Sequence, residues 1–318
     1  RWHSVTGVQT CALPIYVLSG GYDLMHCHFG TAANTVLFLK DLFPSMKLVV
    51  SFLGYDIHKY PHEHGAGVYA GLFLRMDRAV VNTRFSKDKL IALGCPPEKV
   101  SLIPLGFDLA QTPFKVRPAP SGGRIKFVCV GRLVEKKGHS DLLKAFDQVL
   151  DQYPFAELHL VGDGPLAKDL ESEARQLGVL DAVFFYGALS RKKAHRICDE
   201  CHIFVIACRT AGDRNMEGQC LVLQEAQAMG LPVISTRHNG IPEGVLDGES
   251  GFLVAEGDVS ALASKMCYLA GHPKLWPQMG KKGRAFAESK YKLEDMLTAL
   301  VLDRKSTRLN SSHRMPSR

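Results

Sequence analysis

Residues 217–225, EGQCLVLQE, place two glutamates eight positions apart with a glycine and small or apolar residues between them. If a helix begins near Gly218 or Gln219, the backbone N–H groups of Gly218, Gln219, Cys220 and Leu221 have no intrahelical acceptors. They then point outward at the positive end of the helix, where a phosphate can sit. Gly218 carries no Cβ to hold the phosphate away from the backbone. At about 1.5 Å per residue, Glu225 lies up to roughly 12 Å along the helix from Glu217. Carboxylates on either side of an anion cradle repel the anion, so both are expected to accept hydrogen bonds from hydroxyl groups. A nucleoside diphosphate sugar has that layout: sugar hydroxyls, diphosphate, ribose hydroxyls. Its charge calls for cations, and residues 131–138, GRLVEKKG, supply them. After Gly131, Arg132 offers a forked donor and Lys137 a point charge. Taken singly these residues have plainer readings: Glu217 as a helix-start acid favoured by the dipole, Arg132 and Lys137 as solvated loop charges. Glu225 lies among Val222, Leu223, Ala226 and Ala228, so it is expected to be a buried acid with a partner.

The elements that must hold these groups follow from the hydrophobic pattern. From residue 21 short apolar runs alternate with helix-length amphipathic segments, the pattern of a parallel sheet with helices on both faces. Strands are expected at Tyr22 to His28, Leu48 to Phe52, Ala79 to Asn82 and Val100 to Ile103. Residues 112–124, TPFKVRPAPSGGR, hold three prolines and two adjacent glycines and read as an interdomain linker. The alternation then restarts with strands from Ile125 to Val130, Ala156 to Val161 and Ala182 to Phe185, and helices from about Ser140 and Leu166. Leu142, Leu143, Phe146, Val149 and Leu150 fall on one helical face. The expected fold is α/β, with two Rossmann-like doubly wound domains. In such sheets ligands sit at the loops beyond the carboxyl ends of the strands. Here those loops are residues 131–138, residues 162–165 (GDGP) and residues 209–219. No G-x-G-x-x-G followed by an acid about twenty residues on is present, so the loops point to phosphate without pointing to NAD.

The chain has 318 residues, 46% hydrophobic, enough for two cores, and no apolar run reaches membrane-spanning length. The formal charge of +7 is concentrated at the ends: residues 304–318 carry five basic residues and residues 1–15 carry one, neither segment has an acid, and without them the net charge is +1. A nucleic-acid partner is therefore not expected. Both end segments lack helical or strand periodicity, look like adapter-derived sequence, and are set aside as non-native-looking. Nine scattered cysteines read as reduced and cytosolic. Cys198-Asp-Glu-Cys201-His202 matches a haem-attachment spacing but joins a helix pattern to a strand, which favours a structural role.

The segments EGQCLVLQEAQAMGLPVIST, HNGIPEGVLDGESGFLV, GRLVEKKG and GDGP together resemble the donor-binding half of retaining glycosyltransferases of family 4, with the GT-B fold, over roughly residues 124–290. HCHFGTAANT, SFLGYDI and LGCPPEKVSLIPLGFD are similar to the acceptor-side domain of exopolysaccharide and lipopolysaccharide glycosyltransferases. The resemblance implies Glu217 on the sugar hydroxyls, Glu225 on the ribose, Arg132 and Lys137 on the diphosphate, and the backbone of Gly218 to Leu221 near phosphates and sugar. The chain departs from the pattern at Leu53, where many members have a histidine near the reacting carbon. His28 is a nearby alternative, although His26 and His28 also read as a strand-end pair without chemistry. The family's first strand and glycine-rich loop, and its final helix crossing back to the first domain, are not evident. The domains are accordingly expected as residues 16–111, a truncated acceptor-side domain, and 125–303, the donor-binding domain.

The implied reaction moves a hexose from a UDP- or GDP-linked sugar to a saccharide or lipid-linked acceptor hydroxyl with retention, in cell-surface polysaccharide or lipopolysaccharide synthesis. No cofactor is implied, and the absence of a D-x-D string predicts no essential metal. A cytoplasmic protein with peripheral contact at the inner membrane face is expected. The alternatives are a sugar-nucleotide epimerase on the same fold and a fragment that binds nucleotide sugar without turnover.

Overall fold

The computed structural model describes residues 22–120 and 124–309; the expectations for residues 1–15 and 310–318 lie outside the described residues. Contacts divide the chain into two compact units, with residues 22–103 and 297–309 in the first and 104–296 in the second.

The first unit contains β1 (Leu24–His28), α1 (Gly30–Val36), α2 (Leu39–Leu42), β2 (Lys47–Phe52), α3 (Lys59–His64), α4 (Ala70–Arg75), β3 (Arg78–Val81), α5 (Arg84–Ala92) and β4 (Val100–Leu102). Its four strands are parallel and adjacent in chain order. Five of the six β2 residues are buried, which is why that strand reads as a continuous apolar run rather than an alternating one. Beyond the strand ends the fully buried Asp56 carboxylate ties two loops together. It accepts the N–H of Gly30 (2.9 Å) through one oxygen and those of Leu53 and Gly54 (3.0 Å each) through the other. Burial raises its pKa against these hydrogen bonds, which favour the charged form.

The second unit contains β5 (Lys126–Val130), α6 (His139–Leu150), β6 (Glu157–Val161), α7 (Ala167–Gln176), β7 (Val183–Phe185), α8 (Arg191–Glu200), β8 (Ile203–Val205), α9 (Leu221–Ala228), β9 (Val233–Thr236), β10 (Gly251–Val254), α10 (Val259–Gly271) and α11 (Trp276–Lys290). The parallel sheet has the order β10-β9-β8-β5-β6-β7. The chain winds outward from β5 through β7 and then restarts on the other side at β8. At such a reversal, α/β sheets place their ligands beyond the carboxyl ends of the strands. α6 buries Leu142, Leu143, Phe146 and Val149, the face expected from their spacing. Its entry requires Gly138, whose φ is +67°, and a Cβ there would lie 1.7 Å from the Ala207 carbonyl oxygen. Gly138→Ala is expected to cost roughly 2–4 kcal/mol through left-handed strain and overpacking. A urea-unfolding midpoint equal to that of the parent chain would contradict this close approach.

Three expectations are corrected. Residues 104–120, including most of the expected linker, pack as part of the second unit. Arg117 is buried because its guanidinium donates to the carbonyls of Asp199 (2.6 Å) and Met229 (2.9 Å), so the proline-rich stretch is fixed by polar contacts that composition does not reveal. Second, the segment from residue 304 is partly helical: α12 (Leu293–Leu309) runs into it, since an established helix propagates at one hydrogen bond per added residue without needing apolar periodicity. Third, α12 is itself the final helix judged absent. It starts in the second unit and continues into the first, where Asp303 accepts from Ser101 Oγ (2.5 Å) and Arg304 contacts His26.

Candidate functional site

The expected site residues of the second unit lie at the winding reversal. The loop after β5 is strapped to the loop after β6: Leu133 N–H donates to the Asp163 carbonyl (3.0 Å) and Leu166 N–H to that of Leu133 (3.1 Å). A Cβ on Gly162 would fall 1.9 Å from the Gly131 carbonyl oxygen, so the two loops touch backbone to backbone. Arg132 is exposed in this loop; its carbonyl accepts from Val134 N–H (2.9 Å), while its guanidinium has no ion-pair or hydrogen-bond partner among the described residues. Lys137 turns inward. Its Nζ is 2.7 Å from Glu217 Oε2 and 3.9 Å from Cys220 Sγ, and Lys136 Nζ is 3.7 Å from the same Glu217 oxygen.

Both partners of the close pair are largely buried. Burial disfavours charge on Lys137, but Cys220 and Glu217 outweigh it and hold the ammonium above its ordinary pKa. Burial likewise pushes Glu217 up, while Lys137 and Lys136 hold it below the ordinary carboxylate value. The pair is therefore ionised at neutral pH. The hydrogen bond from Cys208 lowers the pKa of Cys220, burial opposes it and Lys137 assists it. Two lysines gathered around one acid leave an excess of positive charge at the start of α9.

α9 starts at Leu221, two to three residues later than expected, with Cys220 at φ −80° and ψ 78°. Two features keep Gly218 to Cys220 out of the helix. Leu221 N–H donates to the Gln219 carbonyl (3.0 Å). The Gln219 side chain is committed elsewhere, accepting from Leu105 N–H (2.8 Å) and donating to the Leu105 carbonyl (2.9 Å). Of the expected backbone cradle, Gly218 and Cys220 remain in a buried, irregular turn directly after Glu217, whereas the Leu221 N–H already has an acceptor. Burial is extensive here but not complete at Glu225. Its side chain keeps 19% exposure, and Arg191 at the start of α8 pairs with it (2.7 Å), a partner the sequence reading did not single out. Nothing in spacing signals that pairing, because α8 and α9 meet only through the sheet topology.

The reading also missed His238 and Glu256, in the loops after β9 and β10. His238 Nδ1 lies 2.8 Å from Glu256 Oε2, and Glu217 N–H donates to His238 Nε2 (3.1 Å). Asn239, at φ +46°, donates through Nδ2 to the Glu217 carbonyl (2.9 Å). The only sequence signal was the HNGIPE string, residues 238–243, which contains His238 and Asn239 but not Glu256. His28 belongs to the first unit, where it is exposed and stacks on His26 with ring centroids 4.8 Å apart. His26 Nε2 is 2.8 Å from Ser51 Oγ, and burial takes its pKa down to about 3. The eight described cysteines are free, and Cys198 and Cys201 are core residues beside His202, whose Nδ1 accepts from Lys126 N–H (3.0 Å). Among the described residues no group of three or more His, Cys, Asp or Glu side chains is placed to hold a metal ion.

An ionised acid–lysine pair, a glycine turn and an exposed arginine lie at the strand-order reversal of a Rossmann-like α/β sheet. The family described as Glycosyl transferases group 1 matches residues 111–286, and the chain belongs to that family. It is 32% identical over 246 residues to the putative colanic acid biosynthesis glycosyltransferase WcaL of Salmonella typhimurium, covering 77% of this chain and 60% of that protein. It is 34% identical over 252 residues to the amylovoran biosynthesis glycosyltransferase AmsK of Erwinia amylovora, covering 78% of this chain and 61% of AmsK. The chain thus spans about three fifths of the length of these relatives. Anabaena HepE, solved in complex with UDP-glucose, superposes with a TM-score of 0.78 at 19% identity, covering 93% of this chain and 82% of HepE, a likeness of fold. The two parallel α/β sheets are those of the GT-B class.

Proposed function

We propose that this protein transfers a hexose from a UDP- or GDP-linked donor to an acceptor hydroxyl with retention of configuration, in the synthesis of a cell-surface polysaccharide. The observation that carries the reading is the Lys137–Glu217 pair at 2.7 Å, at the strand-order reversal of a group 1 glycosyl transferase chain. The names of WcaL and AmsK support the polysaccharide setting, and the HepE complex supports a nucleotide-sugar donor.

In this reading Arg132 and Lys137 meet the diphosphate, Gly131 and the turn from Gly218 to Leu221 let it approach the backbone, and Glu217 accepts from the sugar hydroxyls. Glu225 accepts from the ribose hydroxyls through the oxygen that Arg191 leaves open. The bond from the anomeric carbon to the β-phosphate oxygen breaks, and the bond to the acceptor oxygen forms on the same face. The leaving phosphate takes the acceptor's proton, so no separate base is required. Negative charge grows on the diphosphate, where Lys137 and Arg132 stabilise it. The first unit serves the acceptor, a saccharide or lipid-linked sugar, with His28 its candidate residue. No helix among the described residues is long and apolar enough to cross a membrane. The proposed reaction, drawing on a nucleotide sugar for a cell-surface polysaccharide, fits a cytoplasmic protein with peripheral contact at the inner membrane face.

The test is calorimetric titration of the chain with UDP and GDP, repeated with Glu225→Ala, while sugar release from UDP- and GDP-linked donors is followed. One nucleotide is expected to bind, and the substitution is expected to weaken it by about tenfold, the loss of a charge-assisted hydrogen bond. Absence of binding by a folded sample would remove the donor-site assignment, and binding without sugar release would remove the transfer step.

A further inference from the structure

Three loops of the second unit converge on one buried histidine. His238 follows β9 and is 1% exposed. Its Nε2 accepts from Glu217 N–H (3.1 Å), in the loop after β8, and Asn239 Nδ2 lies at the same distance from it. Two donors on Nε2 require that nitrogen to be bare, so Nδ1 carries the proton and donates to Glu256 Oε2 (2.8 Å), in the loop after β10. The other oxygen of Glu256 accepts Thr210 N–H (2.5 Å), returning to the loop after β8. Asn239 Nδ2 completes the ring by donating to the Glu217 carbonyl (2.9 Å). Both polar groups of the Glu217 main chain are thereby gripped by side chains of the neighbouring loop.

We propose that His238, oriented by Glu256, is a positioning residue that fixes the peptide of Glu217 and hence the place of its carboxylate against the donor sugar. The inference rests on the role given to Glu217 above. If its only task were to fill volume at 1% exposure, an apolar side chain would suffice, whereas this histidine spans an acid on one nitrogen and a backbone donor on the other. Lys136 and Lys137 reach the Glu217 carboxylate on flexible stems and cannot by themselves set its position. The backbone must do that, and it is held at two points: Glu217 by His238 and Asn239, and Gln219 through its paired hydrogen bonds to Leu105. An error of about 1 Å in such a group can cost about a hundredfold in rate.

The test compares His238→Leu and His238→Gln with the parent chain. The glutamine carbonyl can accept where Nε2 does and its amide can donate towards Glu256, whereas leucine keeps the volume alone. The affinities for UDP-glucose and GDP-mannose are measured beside those for UDP and GDP, together with kcat for sugar release. His238→Leu is expected to weaken the sugar nucleotide or lower kcat by about tenfold or more. The matching nucleoside diphosphate is expected to bind within about twofold of the parent, and His238→Gln is expected to recover most of the loss. An unchanged leucine variant, an equal loss for nucleotide with and without sugar, or a glutamine variant no better than leucine would overturn the proposal. A parent chain that binds no nucleotide would instead overturn the function proposed for the site.

Discussion

Replacing Lys137 by Ala is expected to slow sugar transfer by roughly 10² to 10³-fold, the loss typical when one preorganised donor to a developing oxyanion is removed. Lys137 is largely buried beside Glu217, while Arg132 is exposed and, on the proposed reading, meets the diphosphate from the solvent side. The substitution also leaves the Glu217 carboxylate, 15% exposed, with only Lys136 at 3.7 Å. Breaking a buried pair by removing one partner costs roughly 3–5 kcal/mol, and the surviving lysine places the expected destabilisation at about 3 kcal/mol. Lys137→Arg should restore much of the stability and little of the rate, because a planar fork does not reproduce a point charge in that space. The checks are single-turnover sugar release and chemical unfolding of the same samples. A Lys137→Ala enzyme with the parent rate would end the assignment of Lys137 to the leaving diphosphate.

Glu217→Ala is expected to separate binding from chemistry in the opposite sense. On the proposed reading the acid that accepts from the sugar is gone, so transfer should fall by roughly a hundredfold or more. The two lysines beside it lose their counter-charge, and the empty site becomes less stable. A bound diphosphate replaces that charge, so UDP or GDP should bind at least as tightly as to the parent and should raise the melting temperature by more. Glu217→Gln keeps an oxygen toward Lys137 but not the charge, and should fall between. Thermal shift with and without nucleotide, beside the transfer rate, distinguishes the cases. Equal losses of nucleotide affinity and transfer would show that Glu217 holds the site together rather than contacting the sugar.

The order of elements, the strand cores and the loop positions were legible in the sequence because they depend on local pattern. Runs such as LVVSF of β2, and the face of Leu142, Leu143, Phe146 and Val149 in α6, state their burial through spacing alone. Glu217, Arg132, Lys137 and Glu225 were singled out because their residue types lie in the loops and the helix that follow strand ends, where an α/β sheet presents its ligands. What the sequence could not contain is which side chains of different loops meet. The Lys137–Glu217 pair spans 80 positions, the Arg191–Glu225 pair 34, and the His238 hydrogen bond to the Glu217 peptide 21. Each contact exists because β8 and β9 are laid on the other side of β5 from β6 and β7, which brings the ends of β5, β8, β9 and β10 together. The start of α9 was set in the same way: propensity allowed it at Gly218, but the bonds from Gln219 to Leu105 drew the preceding turn out of the helix. Arg117 in the expected linker and Asp303 in α12 were fixed by carbonyl and hydroxyl partners far along the chain. Periodicity reports how much of a residue is buried, whereas the partner that satisfies a buried polar group is chosen only when the strands have taken their order.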